Sequence, residues 1–265
     1  MTAPDAASLL EIAIQVANEA GRLITRQRPE SLGVSATKSS PTDVVTVMDT
    51  GAETLIRERI AAVRPEDGFL GEEGGSSATD RPVVWVIDPI DGTVNYLYGI
   101  PQFAVSIGVR VAGAVVAGVV HDPNRQEDFT AVLGAGARLN GRQIQVSGQT
   151  DPAQSLLLTG FSYQVATRAA QARSVAAIMP QVRDIRRFGS AALDLCWLAC
   201  ARAEAYCERG LRPWDLAAGG LVAREAGATV GGLRGKPADE HLVVAANPAL
   251  YDALHDLLVD AGFDD

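Results

Sequence analysis

Apolar positions near the start of the chain repeat at the spacing of one helix face. Leu9, Leu10, Ala13, Val16, Ala17, Ala20, Leu23 and Ile24 predict an amphipathic helix over 6–27, closed by Pro29. Leu55, Ile56 and Ile60 predict a second helix over 47–63, with Pro65 beyond its end. Between them, 33–43 is polar and reads as a loop or irregular hairpin carrying Lys38. The pattern then changes. Val83, Val84, Trp85, Val86 and Ile87 form an unbroken run of β-formers, as in a strand buried on both faces. Strands are expected over 103–110 and 114–120, joined near Gly113, and again over 129–133. Asn140-Gly141 signals a type I′ turn before a run at 143–146.

The second half alternates. Strands are expected at 155–159, 184–188, 203–208 and 242–245, with helices at 168–179, 190–200 (Ser190 as cap), 215–227 and 248–259. Such alternation implies a mixed α/β fold whose sheet is covered by helices. Apolar bulk lapses at 147–152, which divides the chain into an N-terminal α+β subdomain, 1–148, and a C-terminal α/β subdomain, 149–265.

Composition narrows the function. A net charge of −9 argues against a basic face for nucleic acid or anionic membrane, so neither partner is expected. It does not exclude an anionic substrate, because bound divalent cations invert the local field. Cys196, Cys200 and Cys207 carry no CxxC spacing and read as small buried hydrophobes. Asp5, Glu11 and Glu19 interrupt the first apolar stretch, which therefore reads as neither secretory leader nor membrane span. The cytoplasm is the expected compartment.

The candidate chemistry is acidic. The strand ending at Ile87 runs into Asp88, Pro89, Ile90 and Asp91, followed by Gly92 and Thr93 in a tight polar turn. Glu72 and Glu73 stand in GEEGG, and Asp215 stands in RPWDLAAG. All lie near the ends of elements, where sites gather. Converging carboxylates repel one another and favour a cation; oxygen ligands without histidine favour magnesium. Each residue also has a plain reading: Glu73 as a solvated loop carboxylate, Asp91 as half of an Asp-Gly turn, Asp215 as a helix N-cap. Gly92 permits a backbone path that presents N–H groups to phosphate oxygens, and Thr93 has a hydroxyl able to orient water. His121, His241 and His255 have no catalytic setting, and neither a GxSxG elbow nor a GxGxxG turn occurs.

The segments GEE, WVIDPIDGTVNY and PWDLAAGG together resemble the inositol monophosphatase family of magnesium-dependent, lithium-sensitive phosphatases. SPTDVVTVMDT, IPQFAVSIG and RRFGSAALDLC are most similar to its bacterial, actinobacterial-type members. The resemblance implies the layered α-β-α-β-α sugar-phosphatase fold, a homodimer and a magnesium cofactor. It implies metal ligation by Glu72, Asp88, the Ile90 carbonyl, Asp91 and Asp215. Catalysis would fall to Glu72, Thr93 and Asp91, and phosphate contacts to Gly92 and Thr93. Further substrate contacts would come from Asp91, Gly189, Ser190, Ala191, Glu208 and Asp215, with Lys38 and Asp49 in support. The implied reaction is hydrolysis of myo-inositol 1-phosphate by direct water attack. Histidinol phosphate, fructose 1,6-bisphosphate and 3′-phosphoadenosine 5′-phosphate stand as alternative substrates, and a regulatory protein of the RNA machinery as an alternative class. Arg212 is a further candidate for contact with the leaving group.

Overall fold

The computed structural model of the protein describes residues 5–29, 32–38 and 44–263. The expected loop at 33–43 therefore lies partly outside the described residues. In chain order the elements begin with helix α1 (Ala6–Arg26), the short strands β1 (Ala36–Thr37) and β2 (Val44–Val45), and helix α2 (Val47–Val63). Next come β3 (Gly68–Gly71), β4 (Gly75–Ser77), β5 (Val83–Asp91), the short helix α3 (Thr93–Leu97), β6 (Ala104–Val111) and β7 (Ala114–Asp122). β8 (Glu127–Val132), β9 (Ala137–Leu139) and β10 (Arg142–Gln143) close the first half. The second half runs β11 (Leu156–Thr159), α4 (Val165–Ile178), β12 (Asp184–Arg186), α5 (Ala191–Ala199) and β13 (Ala205–Glu208). It ends with α6 (Pro213–Glu225), β14 (Thr229–Gly231), β15 (Val243–Ala246) and α7 (Pro248–Asp260).

The strands form two main sheets, in the orders β10-β9-β8-β7-β6-β5-β3-β4 and β12-β11-β13-β15-β14. Side-chain alternation dictates how they stack. Val105, Ile107 and Val109 of β6 face α1 and α2 across one core, while Ala104 looks the other way, toward α5 and α6. In the second sheet Leu158, Tyr206, Val243 and Ala245 face α5 and α6, whereas Leu157, Cys207, Val244 and Ala246 face α4 and α7. The result is five layers in the α-β-α-β-α order. Each fully buried Leu, Ile or Val on these faces contributes about 1.5–3 kcal/mol. Helix α6 lies close on the first sheet because Gly108 and Gly118 leave room: a Cβ there would stand 2.7 Å from Ala217 Cβ and 2.9 Å from Ala218 Cα.

Three local expectations change. The central strand continues to Asp91 and does not end at Asp88, with a register shift against β6 between Asp88 and Asp91. The β9–β10 hairpin has the expected left-handed pair, Asn140 at φ 48° and Gly141 at φ 77°, but its second strand stops at Gln143. Helix α6 starts at Pro213 with Arg212 as its N-cap, so Asp215 sits inside the first turn.

Candidate active site

Strand order explains how distant carboxylates meet. β3 runs parallel to β5 with Gly71 opposite Ile87, so Glu72, just past the end of β3, comes beside Asp88 of β5. The Glu72 N–H donates to the Ile87 carbonyl at 3.2 Å. In a regular strand Asp88 and Asp91 would point to opposite faces. Here four residues of β5, Asp88 to Asp91, stand against only three of β6, Ser106 to Ala104. The extra residue is a bulge, placed where Pro89 has no N–H for the ladder, and it returns Asp91 to the face of Asp88. Ser106, opposite Asp88, donates its hydroxyl to the Trp214 carbonyl at 3.3 Å and so ties the start of α6, with Asp215, over this end of the sheet.

Asp88, Asp91 and Asp215 each place a carboxylate oxygen within 4.8 Å of the other two. Their surroundings differ. Asp91 Oδ2 accepts from Ser190 Oγ at 2.6 Å and from the Ala192 N–H at 2.7 Å, so it also fastens the start of α5. One Asp215 oxygen accepts from the Arg212 N–H at 2.6 Å, which ties the first turn of α6 back to its cap residue. Asp88 Oδ1 accepts from the Ile90 N–H at 3.1 Å.

These carboxyls are crowded. Burial, then the charges of Glu72, Asp91 and Asp215, raises the Asp88 carboxyl well above its ordinary range. Burial, then Asp91 and Glu72, does the same to Asp215. Asp91 is raised by burial against its hydrogen bonds from Ser190 and Ala192. Glu72 is pushed up to about 7, chiefly by burial and against the pull of Lys38. Buried anions in mutual repulsion, all with oxygen donors, fit a hard divalent cation.

Lys38 answers part of that charge. Its Nζ lies 2.8 Å from Glu72 Oε1 and 2.5 Å from Glu73 Oε1. Burial opposes its ammonium form, but the two glutamates outweigh burial and its pKa is raised. Glu73 is not a solvated loop residue: its side chain is only 8% exposed. The Glu53 carboxylate on α2 accepts from the N–H groups of Glu73 and Gly74.

Thr93 opens α3, after Gly92 at φ 102°. Its Oγ donates toward Asp49 Oδ1 at 3.0 Å and the Ile90 carbonyl at 3.1 Å. Asp49 is fully buried, and its other oxygen accepts from both the Thr46 N–H and the Thr46 hydroxyl. Asp49 therefore stands behind Thr93 and outside the cavity lining.

A cavity of about 480 Å³ joins these groups. Lys38, Glu72, Asp88, Ile90, Asp91, Gly92 and Thr93 line it from the first half of the chain, and Gly189, Ala191, Glu208 and Asp215 from the second. Ser190 does not line it, because its hydroxyl is spent on Asp91. Glu208, pushed up to about 7 mainly by burial, accepts from the Tyr206 hydroxyl at 2.9 Å. Arg212 lines the rim and pairs with Glu240 at 2.7 Å. Arg187, also in the lining, was not singled out by the sequence; its charge draws down the carboxyls of Asp91 and Glu208. Its signal was its place in RRFGSAA, two residues before Gly189. His121 is buried against Asp128 outside this cavity.

The raised carboxyls have a consequence for stability. In the unfolded chain they ionise near about 4. Folding raises their pKa values, so the folded state keeps protons that the unfolded state releases; the associated stability is full below about pH 4 and is lost as pH rises through about 7. The melting temperature of metal-free protein is expected to fall between about pH 5 and about pH 8, and added Mg2+ to restore it most at the higher pH. Thermal melts in chelator and in magnesium check this. A flat metal-free profile across that window would contradict it.

The sequence model of the inositol monophosphatase family matches residues 5–262. Inositol-1-monophosphatase SuhB of Mycobacterium tuberculosis is 46% identical over 278 residues, covering 96% of this chain and 95% of its own. Nus factor SuhB of Escherichia coli is 40% identical over 252 residues, covering 93% and 94%. The crystal structure of extragenic suppressor protein suhB from Bartonella henselae superposes with a TM-score of 0.89 at 36% identity, over 95% of this chain and 98% of that one. The relatives named Nus factor overturn the expectation of no nucleic-acid partner. Net charge averages over the whole surface and does not exclude a local contact of that kind. Among the described residues no helix is long and apolar enough to cross a membrane.

Proposed function

We propose that this chain, which belongs to the inositol monophosphatase family, is a magnesium-dependent phosphatase that hydrolyses myo-inositol 1-phosphate to myo-inositol and phosphate. The observation that carries this reading is the convergence of Asp88, Asp91 and Asp215 beside Glu72 and Thr93 in one cavity. Magnesium ions would be held by Glu72, Asp88, the Ile90 carbonyl, Asp91 and Asp215. When bound, they would supply the positive charge that acidifies a water and stabilises charge on the phosphate oxygens.

The chain's own groups do the rest. Thr93 donates its single hydroxyl proton back toward Asp49 or Ile90, which turns an oxygen lone pair to the cavity. That lone pair accepts a hydrogen bond from the attacking water and aims it. Glu72, beside Thr93 in the same cavity, is placed to take the proton. Gly92 and Thr93 bind the phosphate through backbone N–H groups. Glu208 and the Gly189–Ala191 turn meet the alcohol that leaves.

Metal and phosphate contacts touch only what all monoesters share, so leaving-group choice rests on Glu208 and its surroundings. A carboxylate there serves ring hydroxyls and would equally hold an ammonium, which makes histidinol phosphate the decisive competitor. Phosphate release is to be measured with and without Mg2+ on myo-inositol 1-phosphate, histidinol phosphate, fructose 1,6-bisphosphate and 3′-phosphoadenosine 5′-phosphate. Magnesium-dependent preference for the inositol ester is expected. Preference for histidinol phosphate would overturn the substrate and keep the metal set; no magnesium dependence would overturn both.

A further inference from the structure

Glu53 is a carboxylate on the buried face of α2, only 2% exposed, and outside the cavity lining. Its Oε2 accepts from the Glu73 N–H at 2.7 Å, and its Oε1 from the Gly74 N–H at 3.0 Å. Arg57, one turn further on, donates to Oε1 through Nε at 2.6 Å and reaches past it to the Gly75 carbonyl, also at 2.6 Å. Helix α2 thus grips three consecutive residues of the turn that follows Glu72. The fit is tight: a Cβ at Gly71 would stand 2.1 Å from Glu53 Oε1, and one at Gly74 would stand 2.7 Å from it.

Asp49 lies four residues before Glu53 on the same helix and receives the Thr93 hydroxyl. Residues at this spacing share one face, about 6 Å apart along the axis. Glu72 and Thr93 come from separate segments, yet each segment is fastened to a carboxylate on one rigid turn of α2. Glu53 takes three donors, the Glu73 and Gly74 N–H groups and the Arg57 guanidinium, so the grip is firm.

We infer that Glu53 is a positioning residue, holding the Glu72 turn in register with Thr93 so that the Glu72 carboxylate is set for metal and water. This rests on the proposed roles of Glu72 and Thr93. Glu53 touches neither substrate nor metal and acts through the backbone of Glu73 and Gly74.

The test uses the full chain, with Mn2+ as probe, in the variants Glu53→Gln and Gly74→Ala alongside Glu72→Gln. Glu53→Gln keeps the volume but turns an amide donor toward backbone and guanidinium donors. Gly74→Ala leaves α2 untouched and pushes the exposed turn off Glu53. Mn2+ binding to metal-free protein, followed by electron paramagnetic resonance, is expected to weaken by about 10-fold or more in Glu53→Gln and in the same direction in Gly74→Ala. kcat should fall, while KM for the phosphomonoester changes little. Unchanged Mn2+ affinity in the variants that fold overturns the inference, and so does a drop in melting temperature with no change in affinity. If Glu53→Gln does not fold, Gly74→Ala decides. Wild-type Mn2+ binding and turnover in Glu72→Gln would instead overturn the functional reading itself.

Discussion

Asp88→Asn is expected to lower phosphate release by at least ~10³-fold, about 4 kcal/mol on the barrier, while raising the melting temperature of metal-free protein at about pH 8. The two effects share one cause. Asp88 is buried among Glu72, Asp91 and Asp215, and its carboxyl is raised well above the ordinary range by burial first and then by those charges. Ionising it in the folded state therefore costs stability that an uncharged amide does not. Asparagine keeps the shape and can still accept the Ile90 N–H on its carbonyl oxygen. What it removes is the anion at the centre of the cluster. Phosphate release in saturating Mg2+ and thermal melts in chelator measure both halves. Loss of activity with a lowered metal-free melting temperature would contradict the crowding; activity within a few-fold of wild type would contradict the metal assignment.

Thr93→Val is expected to reduce kcat on the order of 10²-fold or more, with KM little affected. Valine matches threonine in shape, so the start of α3 and its backbone N–H groups should stay in place. The change deletes the hydroxyl that lies 3.0 Å from Asp49 Oδ1 and 3.1 Å from the Ile90 carbonyl. Asp49 keeps its two bonds from Thr46 but loses its link to the site. Thr93→Ser should recover most of the rate, because it restores the oxygen without the methyl. Single-turnover kinetics separates the chemical step from product release. If serine fails to rescue while both variants melt as wild type does, Thr93 does not act through its hydroxyl.

Much of the frame was legible along the chain because it depends on local pattern. The stripe from Leu9 to Ile24 could only be an amphipathic helix, and Val83 to Ile87 only a buried strand. Asn140-Gly141 demanded a type I′ turn, and that turn forms. Ser190 read as a helix cap, and its Oγ does accept from the Leu193 N–H. Less legible were features whose cause lies far off in sequence. Glu73 in GEEGG has the composition of a solvated turn, yet Lys38 pairs with its side chain and Glu53 with its backbone. Glu53 itself left a faint mark: a second acid four residues after Asp49, on a stripe with Ala52, Ile56 and Ile60.

From its sequence alone the chain determined which segments become helix and strand, and the acidic chemistry at their ends, because propensity, periodicity and turn residues act over a few neighbours. Only the tertiary structure decided which acids meet. Asp88 and Asp91 share a face because of a one-residue bulge against β6. Glu72 reaches them because β3 lies parallel to β5, and Asp215 because α6 packs across small residues of β6 and β7. Strand order, register and close packing are settled by burying apolar faces between layers, a condition on the whole chain that no short stretch contains.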